Sequence, residues 1–395
     1  MIRVVAIAVF SIALWLPLFQ RQSSFFAENK LSGIEENTLK PDFSLQSFWD
    51  GEFQKKYQSW FNENVGFRGA LIRSENQLNL SFFKDISSRS PSRINLGQAG
   101  YLFERSYLQS YQQPDSTRNE KLLTIVERTK KLQELLSQRG IAFLLLISPS
   151  KAELYPEKLP RYIAEAVRNP QSDYTVFTEA LQAVGVHTLD GYALLKSIKD
   201  STGYPVFPKS GTHWSYYATC LVTNRMVELL EQQLKEKLIK VDCSNLVWSD
   251  QPRLHDKDLA ELINVWDPSS TFERLPYPRS KSIRSGGEFR PKIIIVGSSF
   301  IWPILHYLDR HKIFVRRDFY YYFRTNHSSP PPKQTPIDPA SLDWEQKVFS
   351  RKAIIIEINQ AALSQTGFGF IEHALAALEG QALRPDTATA GPVEN

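Results

Sequence analysis

Three apolar runs constrain this chain more than any other feature of its sequence. They are residues 141–147 (IAFLLLI), 292–296 (KIIIV) and 353–358 (AIIIEI), all short and rich in branched side chains. Such runs are typical of strands that are covered on both faces, as in parallel sheets. Segments with helical periodicity separate them along the chain. The alternation predicts an α/β fold, an open and mostly parallel sheet with helices on both faces.

The helical segments can be placed from their apolar spacing. The first covers residues 121–139 and ends at Gly140. Further helices are predicted at 177–184, at 216–234, from about residue 300 to 308, and around 371–378, with shorter strands at 186–189 and 319–323. Residues 241–288 lack clear periodicity, so we expect them to leave the sheet.

Composition excludes several classes of protein. Of 395 residues, 42% are hydrophobic and 23% are charged, which are ordinary values for a chain that mostly folds in water. The net charge of +5 is spread along the chain, so nucleic acid is not an expected partner. The two cysteines, Cys220 and Cys243, allow one optional disulfide. No His, Asp or Glu set has metal-ligand spacing, so we predict neither a metal nor a cofactor.

The N-terminus predicts a membrane anchor. Residues 4–19 (VVAIAVFSIALWLPLF) are uncharged and follow Arg3, and no small-x-small cleavage site comes after them. We predict an uncleaved signal anchor over residues 1–22, with a cleaved signal as the alternative. A helical stalk and linker then covers 23–95, including the SSRSPS stretch at 87–92. The main domain covers 96–380, and residues 381–395 form a disordered tail.

Ser299 is the candidate nucleophile. It belongs to a Gly-Ser-Ser-Phe sequence at 297–300, where a buried strand turns into a helix. This position lies at the carboxyl edge of the sheet, where open α/β folds keep their sites. Backbone N–H groups at the helix start can stabilise an oxyanion there. The alternative is that Ser298 and Ser299 only cap the helix.

His213 is the candidate general base. It stands in a Gly-Thr-His-Trp sequence at 211–214, immediately before the long helix predicted at 216–234. A histidine at such a junction can take the proton of a serine. The alternative is a capping or surface histidine.

An ordered set of motifs resembles a known family. The set consists of the anchor, the stalk sequence FWDGEFQKKYQSWFNENVGFR, GYLF at 100–103, SPSKAELYPEKLP, GTHWSYYA and VGSSF. The chain resembles the alginate O-acetyltransferase family (AlgX/AlgJ-like) over about residues 40–380. This resemblance implies an SGNH-hydrolase-like domain with a permuted motif order, in which the histidine motif precedes the nucleophile.

The resemblance also implies a Ser-His-Asp triad. Ser299 matches the family's serine and His213 the histidine of its Asp-x-His motif, but the position of the aspartate is Gly211. A missing carboxylate removes the group that orients the imidazole. Asp190 is our first candidate to replace it, with Glu357, a backbone carbonyl or a Ser-His dyad as alternatives.

Four further residues are candidates for substrate binding. Lys151 follows the first apolar strand, Trp214 adjoins the histidine, and Arg324 and Asn326 follow an aromatic run at 319–323. A solvated lysine and a core aromatic run are the alternatives. The resemblance implies transfer of an acetyl group to an exported polysaccharide, beside a membrane-bound O-acyltransferase that supplies acetyl groups.

The expected protein is therefore a single-pass inner-membrane O-acetyltransferase whose catalytic domain lies in the periplasm. Two rivals remain. A carbohydrate esterase would use the same Ser299 and His213 with water as the acceptor. A non-catalytic polysaccharide-binding or assembly protein would explain Gly211.

Overall fold

The structure is a computed structural model that describes residues 2–33, 38–86, 94–112, 118–164 and 172–380. The predicted linker at 87–92 and the predicted tail at 381–395 lie outside these residues. The chain divides into two compact units. The first consists of Met1–Leu96 and Asp258–Thr271, and the second of Gly97–Lys257 and Phe272–Asn395.

The strands and helices are numbered in chain order. The strands are β1 (Ile94–Leu96), β2 (Leu102–Glu104), β3 (Ala142–Ser148), β4 (Thr188–Asp190), β5 (Lys240–Asp242), β6 (Leu246–Ser249), β7 (Leu275–Pro278), β8 (Lys281–Ile283), β9 (Lys292–Gly297), β10 (Arg316–Tyr321), β11 (Thr325–Ser329), β12 (Lys333–Pro336) and β13 (Ala353–Asn359). The α-helices are α1 (Ile2–Ser23), α2 (Leu45–Trp49), α3 (Glu52–Asn64), α4 (Arg68–Leu78), α5 (Arg105–Gln112), α6 (Arg118–Gln138), α7 (Lys151–Leu154), α8 (Arg161–Ala164), α9 (Asp173–Val184), α10 (Gly191–Thr202), α11 (Tyr216–Leu234), α12 (Asp258–Leu262), α13 (Ile301–Arg310) and α14 (Phe370–Glu379).

A seven-stranded sheet lies at the centre of the second unit. Its strand order is β12-β11-β10-β9-β13-β3-β4. The strands from β10 to β4 in this order are parallel, whereas β11 and β12 add to one edge in antiparallel pairing. The predicted α/β fold with a mostly parallel sheet is confirmed. The three apolar runs are its adjacent central strands, because only side chains covered on both faces tolerate that position.

Helices cover both faces of this sheet. Leu144 and Leu146 of β3 belong to one buried cluster together with residues of α11 and α13. Phe143 and Leu145, which alternate with them, belong to a second cluster with residues of α6, α9 and α14. This division follows from the two-residue period of a strand, which sends successive side chains to opposite faces.

The segment after α11 leaves the sheet, as the missing periodicity predicts. In it, β5 pairs with β8 and β6 with β7, each antiparallel. Cys243 follows β5 and forms a disulfide with Cys220 of α11, with Cα atoms 6.0 Å apart. The disulfide that the sequence left optional is therefore formed.

The first unit contains the predicted anchor and stalk. In the part of the chain that the structure describes, one helix, Arg3–Ser23, is long and apolar enough to cross a membrane. The segment predicted as a stalk contains the helices α2, α3 and α4. Asn76 of α4 is buried and donates to the carbonyl oxygens of Ile263 and Asn264, which ties the stalk to the second segment of this unit.

Candidate active site

The candidate nucleophile lies on the tight turn between β9 and α13. Glycine is required at position 297, because a Cβ atom there would lie 2.8 Å from the Glu357 carboxylate and 2.9 Å from the Ile301 side chain. Trp302 N–H donates to the Ser299 carbonyl oxygen, so the first helical turn closes directly after the serine. Ser299 thus stands at the carboxyl end of a central strand and at the N-terminal end of a helix.

Glu357 accepts hydrogen bonds from this turn. It lies on β13 and its side chain is completely buried. One carboxylate oxygen accepts from the Ser298 N–H at 2.7 Å and from the Ser298 hydroxyl at 2.8 Å, and the other accepts from the Ser148 hydroxyl at 2.5 Å. Burial raises the pKa of the Glu357 carboxyl, while these hydrogen bonds and the charge of His213 act in the opposite direction. Glu357 therefore fixes the residue that precedes the nucleophile.

The candidate base meets the candidate nucleophile. His213 Nε2 lies 3.0 Å from Ser299 Oγ, and the histidine is only 7% exposed. When Nε2 is unprotonated, the serine hydroxyl donates to it, which is the geometry of a general base. The imidazole packs on Phe300, with ring centroids 4.9 Å apart. Two segments 86 residues apart in the sequence are thus brought together.

A second contact joins the same two segments. Trp214 Nε1 donates to the carbonyl oxygen of Phe300 at 3.1 Å. Ser215 caps α11 by accepting from Ala218 N–H, and its own hydroxyl donates to the Pro205 carbonyl oxygen. The two residues that follow His213 are therefore fixed by the chain around them, which restricts the position of the ring.

Comparisons with known proteins identify the family. Residues 94–305 match the family model described as "SGNH hydrolase-like domain, acetyltransferase AlgX", which is more than half of the chain. The chain belongs to the AlgX family of SGNH hydrolase-like acetyltransferases. Both residues of the Ser-His pair fall within the matched range.

Individual relatives and solved structures are similar to parts of this chain. A stretch of 191 residues is 28% identical to the probable alginate O-acetylase AlgJ of Pseudomonas aeruginosa, covering 43% of this chain and 46% of AlgJ. The match thus spans less than half of that relative's length. Among solved structures, the O-acetyltransferase domain of Pseudomonas putida AlgJ (14% identity, 69% of this chain and 92% of that one, TM-score 0.44) and Bacillus cereus PatB1 with a sulfonyl adduct (12%, 70% and 99%, TM-score 0.45) are similar. Family membership rests on the family model.

This AlgX-family chain departs from the resemblance at Gly211, and the structure gives the reason. A Cβ atom at this position would lie 2.5 Å from the His255 carbonyl oxygen and 2.8 Å from the Pro208 ring. The backbone of residues 255 and 256 occupies the space that an aspartate side chain would need. The carboxylate and the room for it are both missing at this position.

Asp190, our first candidate to replace that carboxylate, has other partners. It caps α10 by accepting from Ala193 N–H at 3.0 Å, and its second oxygen accepts from the Tyr174 hydroxyl at 2.5 Å. It lies at the end of β4, the edge strand, whereas the nucleophile follows β9. The expectation that Asp190 orients His213 is therefore wrong for this structure. Glu357, the alternative, bonds to Ser298 of the nucleophile turn and to Ser148 of β3.

Two of the predicted substrate-binding residues are buried structural residues. Lys151 is 3% exposed, and its ammonium group donates to three backbone carbonyl oxygens. Trp214 is fully buried, so its ring cannot stack on a sugar. Both expectations are corrected. The two residues lie at the edge of the sheet that carries the site, but their side chains are covered and cannot reach a substrate.

The other two lie near the turn between β10 and β11. Arg324 is exposed, and its role in binding a substrate stays a prediction. Asn326 instead lines a cleft of about 650 Å³ together with Arg316, Asp318 and Arg351. Binding of a substrate by Asn326 stays a prediction, and neither Ser299 nor His213 lines this cleft. Strand pairing explains the position of Asn326, since it lies opposite Tyr320, which belongs to the buried cluster on the face of the sheet away from α13.

Sequence reasoning offered Glu357 only as an alternative partner of His213, and it assigned no role to Gly297 or Ser148. One signal was available for Glu357. A single acidic residue inside the run AIIIEI must be buried with hydrogen-bond donors, because an unpartnered carboxylate in a core is very costly. Which donors it meets depends on strand order, which the sequence does not state.

Proposed function

We propose that this chain is a serine-dependent O-acetyltransferase that acetylates an exported polysaccharide. The observation that carries the proposal is the 3.0 Å distance from His213 Nε2 to Ser299 Oγ at the carboxyl edge of the sheet. Membership of an acetyltransferase family supports the reaction class. The name of the relative AlgJ makes alginate the first acceptor to test.

The reaction has two steps. His213 takes the proton of Ser299 as the serine oxygen attacks the acetyl carbonyl, and the positive N-terminal end of the α13 dipole favours the negative charge that develops on the carbonyl oxygen. The donor's leaving group departs with the proton from His213 and leaves an acetyl-serine. A sugar hydroxyl then attacks this ester and gives its proton to His213. His213 passes the proton to the serine oxygen as the C–O bond to the serine breaks, which releases the acetylated sugar and restores the serine hydroxyl.

Acetylation of the serine can be tested directly. Purified protein incubated with an activated acetyl ester should gain one acetyl group on the peptide that contains Ser299, as measured by mass spectrometry. Ser299→Ala should stay unmodified yet fold, because the lost hydroxyl bonds to the His213 ring, and losing one such hydrogen bond costs about 1 kcal/mol. Modification elsewhere in wild type, or none, would contradict the serine mechanism.

The acceptor separates this function from its rivals. With acetyl-free polysaccharide present, we expect acetyl groups to appear on the polymer. Release of acetate alone would identify an esterase, and binding of polymer by a protein that never forms the acetyl-serine would identify a non-catalytic member.

We also propose that residues 1–22 anchor the protein in the inner membrane, with a stalk over 23–95 and the catalytic domain, 96–380, in the periplasm. The apolar helix Arg3–Ser23 and the disulfide between Cys220 and Cys243 support this, since disulfides persist in oxidising compartments. Protease added to spheroplasts should digest the catalytic domain. Full protection would contradict the topology.

This location requires a partner. One helix cannot carry acetyl groups across a bilayer, so we propose that a membrane-bound O-acyltransferase supplies them. Deleting that partner should abolish polymer acetylation in cells while leaving the reaction of the purified protein with an activated ester intact.

A further inference from the structure

A buried lysine lies beside the histidine loop. Lys151 begins α7, just after β3, and is 3% exposed. Its Nζ donates at 2.8 Å to each of the carbonyl oxygens of Leu102, Lys209 and Gly211. An ammonium group has three donors, and all three are used on backbone. The mechanism proposed above gives this charge no role.

Two of these three carbonyls belong to the segment that leads into His213. Lys209 and Gly211 precede the histidine by four and two residues. The same segment is held from other sides, since Lys209 N–H donates to Glu273 at 2.6 Å and the Ser210 hydroxyl donates to the Asp256 carbonyl oxygen at 2.6 Å. The Lys151 ammonium group binds the carbonyl oxygens of the first and last residues of the turn formed by residues 209–211. One side chain therefore connects the two ends of this turn.

The position of this turn matters for chemistry. His213 must keep its Nε2 within hydrogen-bond reach of Ser299, and a shift of about 1 Å in such a group can cost a hundredfold in rate. Gly211 bears no side chain that could hold the turn, because the backbone of residues 255 and 256 fills that space. A lysine that caps the Gly211 carbonyl oxygen holds the turn through its backbone.

We propose that Lys151 is a positioning residue that holds His213 in register with Ser299 by binding the carbonyl oxygens of Lys209 and Gly211. This inference rests on the proposed serine chemistry. It replaces the sequence-based role of Lys151 in substrate binding, since a side chain with all its donors on backbone cannot reach a substrate.

The test measures how fast an arylsulfonyl fluoride modifies Ser299. This probe reports serine activation by His213 and needs no polysaccharide or acetyl donor. Lys151→Met keeps most of the volume but leaves the carbonyls without their donor, and we expect modification about a hundredfold slower. The matched control is Lys199→Met, which removes a lysine that donates to the Leu154 carbonyl oxygen and to Glu157. The control should react like wild type.

A double-mutant cycle separates positioning from general loss of structure. If Lys151 acts through His213, Lys151→Met should cause no further loss in a His213→Ala background. The same loss in both backgrounds would overturn the proposal. Equal reactivity of Lys151→Met and wild type would also overturn it, and would leave the proposed function intact.

Lys151→Arg covers the case in which Lys151→Met does not fold. A guanidinium keeps the charge, but its planar fork cannot converge on three carbonyl oxygens as an ammonium does. We expect a folded variant with slower modification, and wild-type reactivity would overturn the proposal. A wild-type protein that never reacts at Ser299 would contradict the proposed function itself, and this inference with it.

Discussion

At the scale of single residues, the site depends on charged groups that do not react. Glu357 holds the nucleophile turn through Ser298, and Lys151 holds the turn before His213 through backbone carbonyls. Both side chains are almost fully buried, and each has its polar atoms matched to complementary partners. Their hydrogen bonds place two loops, which is a different task from binding a substrate.

The buried carboxyl predicts a pH dependence of stability. Burial raises the pKa of Glu357 above its usual value of 4.5, so the native state keeps a proton that the unfolded chain has already lost. The free energy of unfolding should therefore fall as the pH rises from 4.5 through the raised pKa. The side chain in Glu357→Gln cannot titrate. Urea unfolding should therefore show that the free energy of unfolding of this variant rises relative to that of wild type as the pH increases over this range.

The control for this prediction is Glu345→Gln. The Glu345 side chain is 67% exposed, so this variant should follow the wild-type pH profile. A Glu357→Gln profile parallel to wild type would show that the carboxyl titrates alike in the folded and unfolded states.

Restoring the family's aspartate at position 211 should damage the protein. Gly211→Asp places a Cβ atom 2.5 Å from the His255 carbonyl oxygen, and overpacking of this kind typically costs about 1–3 kcal/mol. We expect lower thermal stability and slower modification of Ser299. Gly211→Ala should show the same loss of stability, because space and not charge is limiting. Faster modification in Gly211→Asp would contradict this account.

At the scale of elements, the site is a junction between the N-terminal ends of α11 and α13. The Trp214 hydrogen bond to the Phe300 carbonyl oxygen connects the two helix starts beside the reacting pair. The Tyr307 hydroxyl of α13 also donates to the carbonyl oxygen of Tyr216, the first residue of α11, which joins the two helices a second time. The helices therefore behave as one support for both reacting side chains.

Trp214→Phe tests this support. Phenylalanine keeps the aromatic bulk but cannot donate, so the buried Phe300 carbonyl oxygen loses a partner at a cost of about 1 kcal/mol. We expect a small drop in thermal stability and about tenfold slower modification of Ser299, equivalent to one lost positioning bond. Trp248→Phe is the control. It alters an indole that is 36% exposed, and this variant should react like wild type. Wild-type reactivity in Trp214→Phe would show that the two loops hold their positions independently.

At the scale of the whole molecule, the disulfide ties the helix that follows His213 to the excursion from the sheet. Cys220 and Cys243 are 23 residues apart, and closing a loop of this size stabilises a fold by about 3 kcal/mol. Reduction of the wild type should lower the melting temperature, and the Cys220→Ala, Cys243→Ala double variant should melt at the reduced temperature whether or not reductant is present. Identical melting of oxidised and reduced wild type would contradict a stabilising role.

The sequence by itself determined that the chain forms an α/β sheet, which three segments are its buried strands, and which serine and histidine are the candidates for chemistry. The runs at 141–147, 292–296 and 353–358 are strands, and α11 has its predicted bounds, because an apolar run covered on both faces and a helical period leave few alternatives. Ser299 and His213 could be named because each stands at a junction between secondary-structure elements, where the motif is local.

Only the tertiary structure decided what the remaining polar residues do. Asp190 and Glu357 both lie near the carboxyl ends of strands in the same sheet. Strand order places Asp190 on an edge strand with Tyr174, and Glu357 next to the nucleophile turn. Lys151 looked accessible because the sequence shows its position along the chain and not what covers it. Partners of a buried polar group come from segments far away in sequence, and burial, which sets whether a charge binds a substrate or holds a loop, is a property of the packed fold.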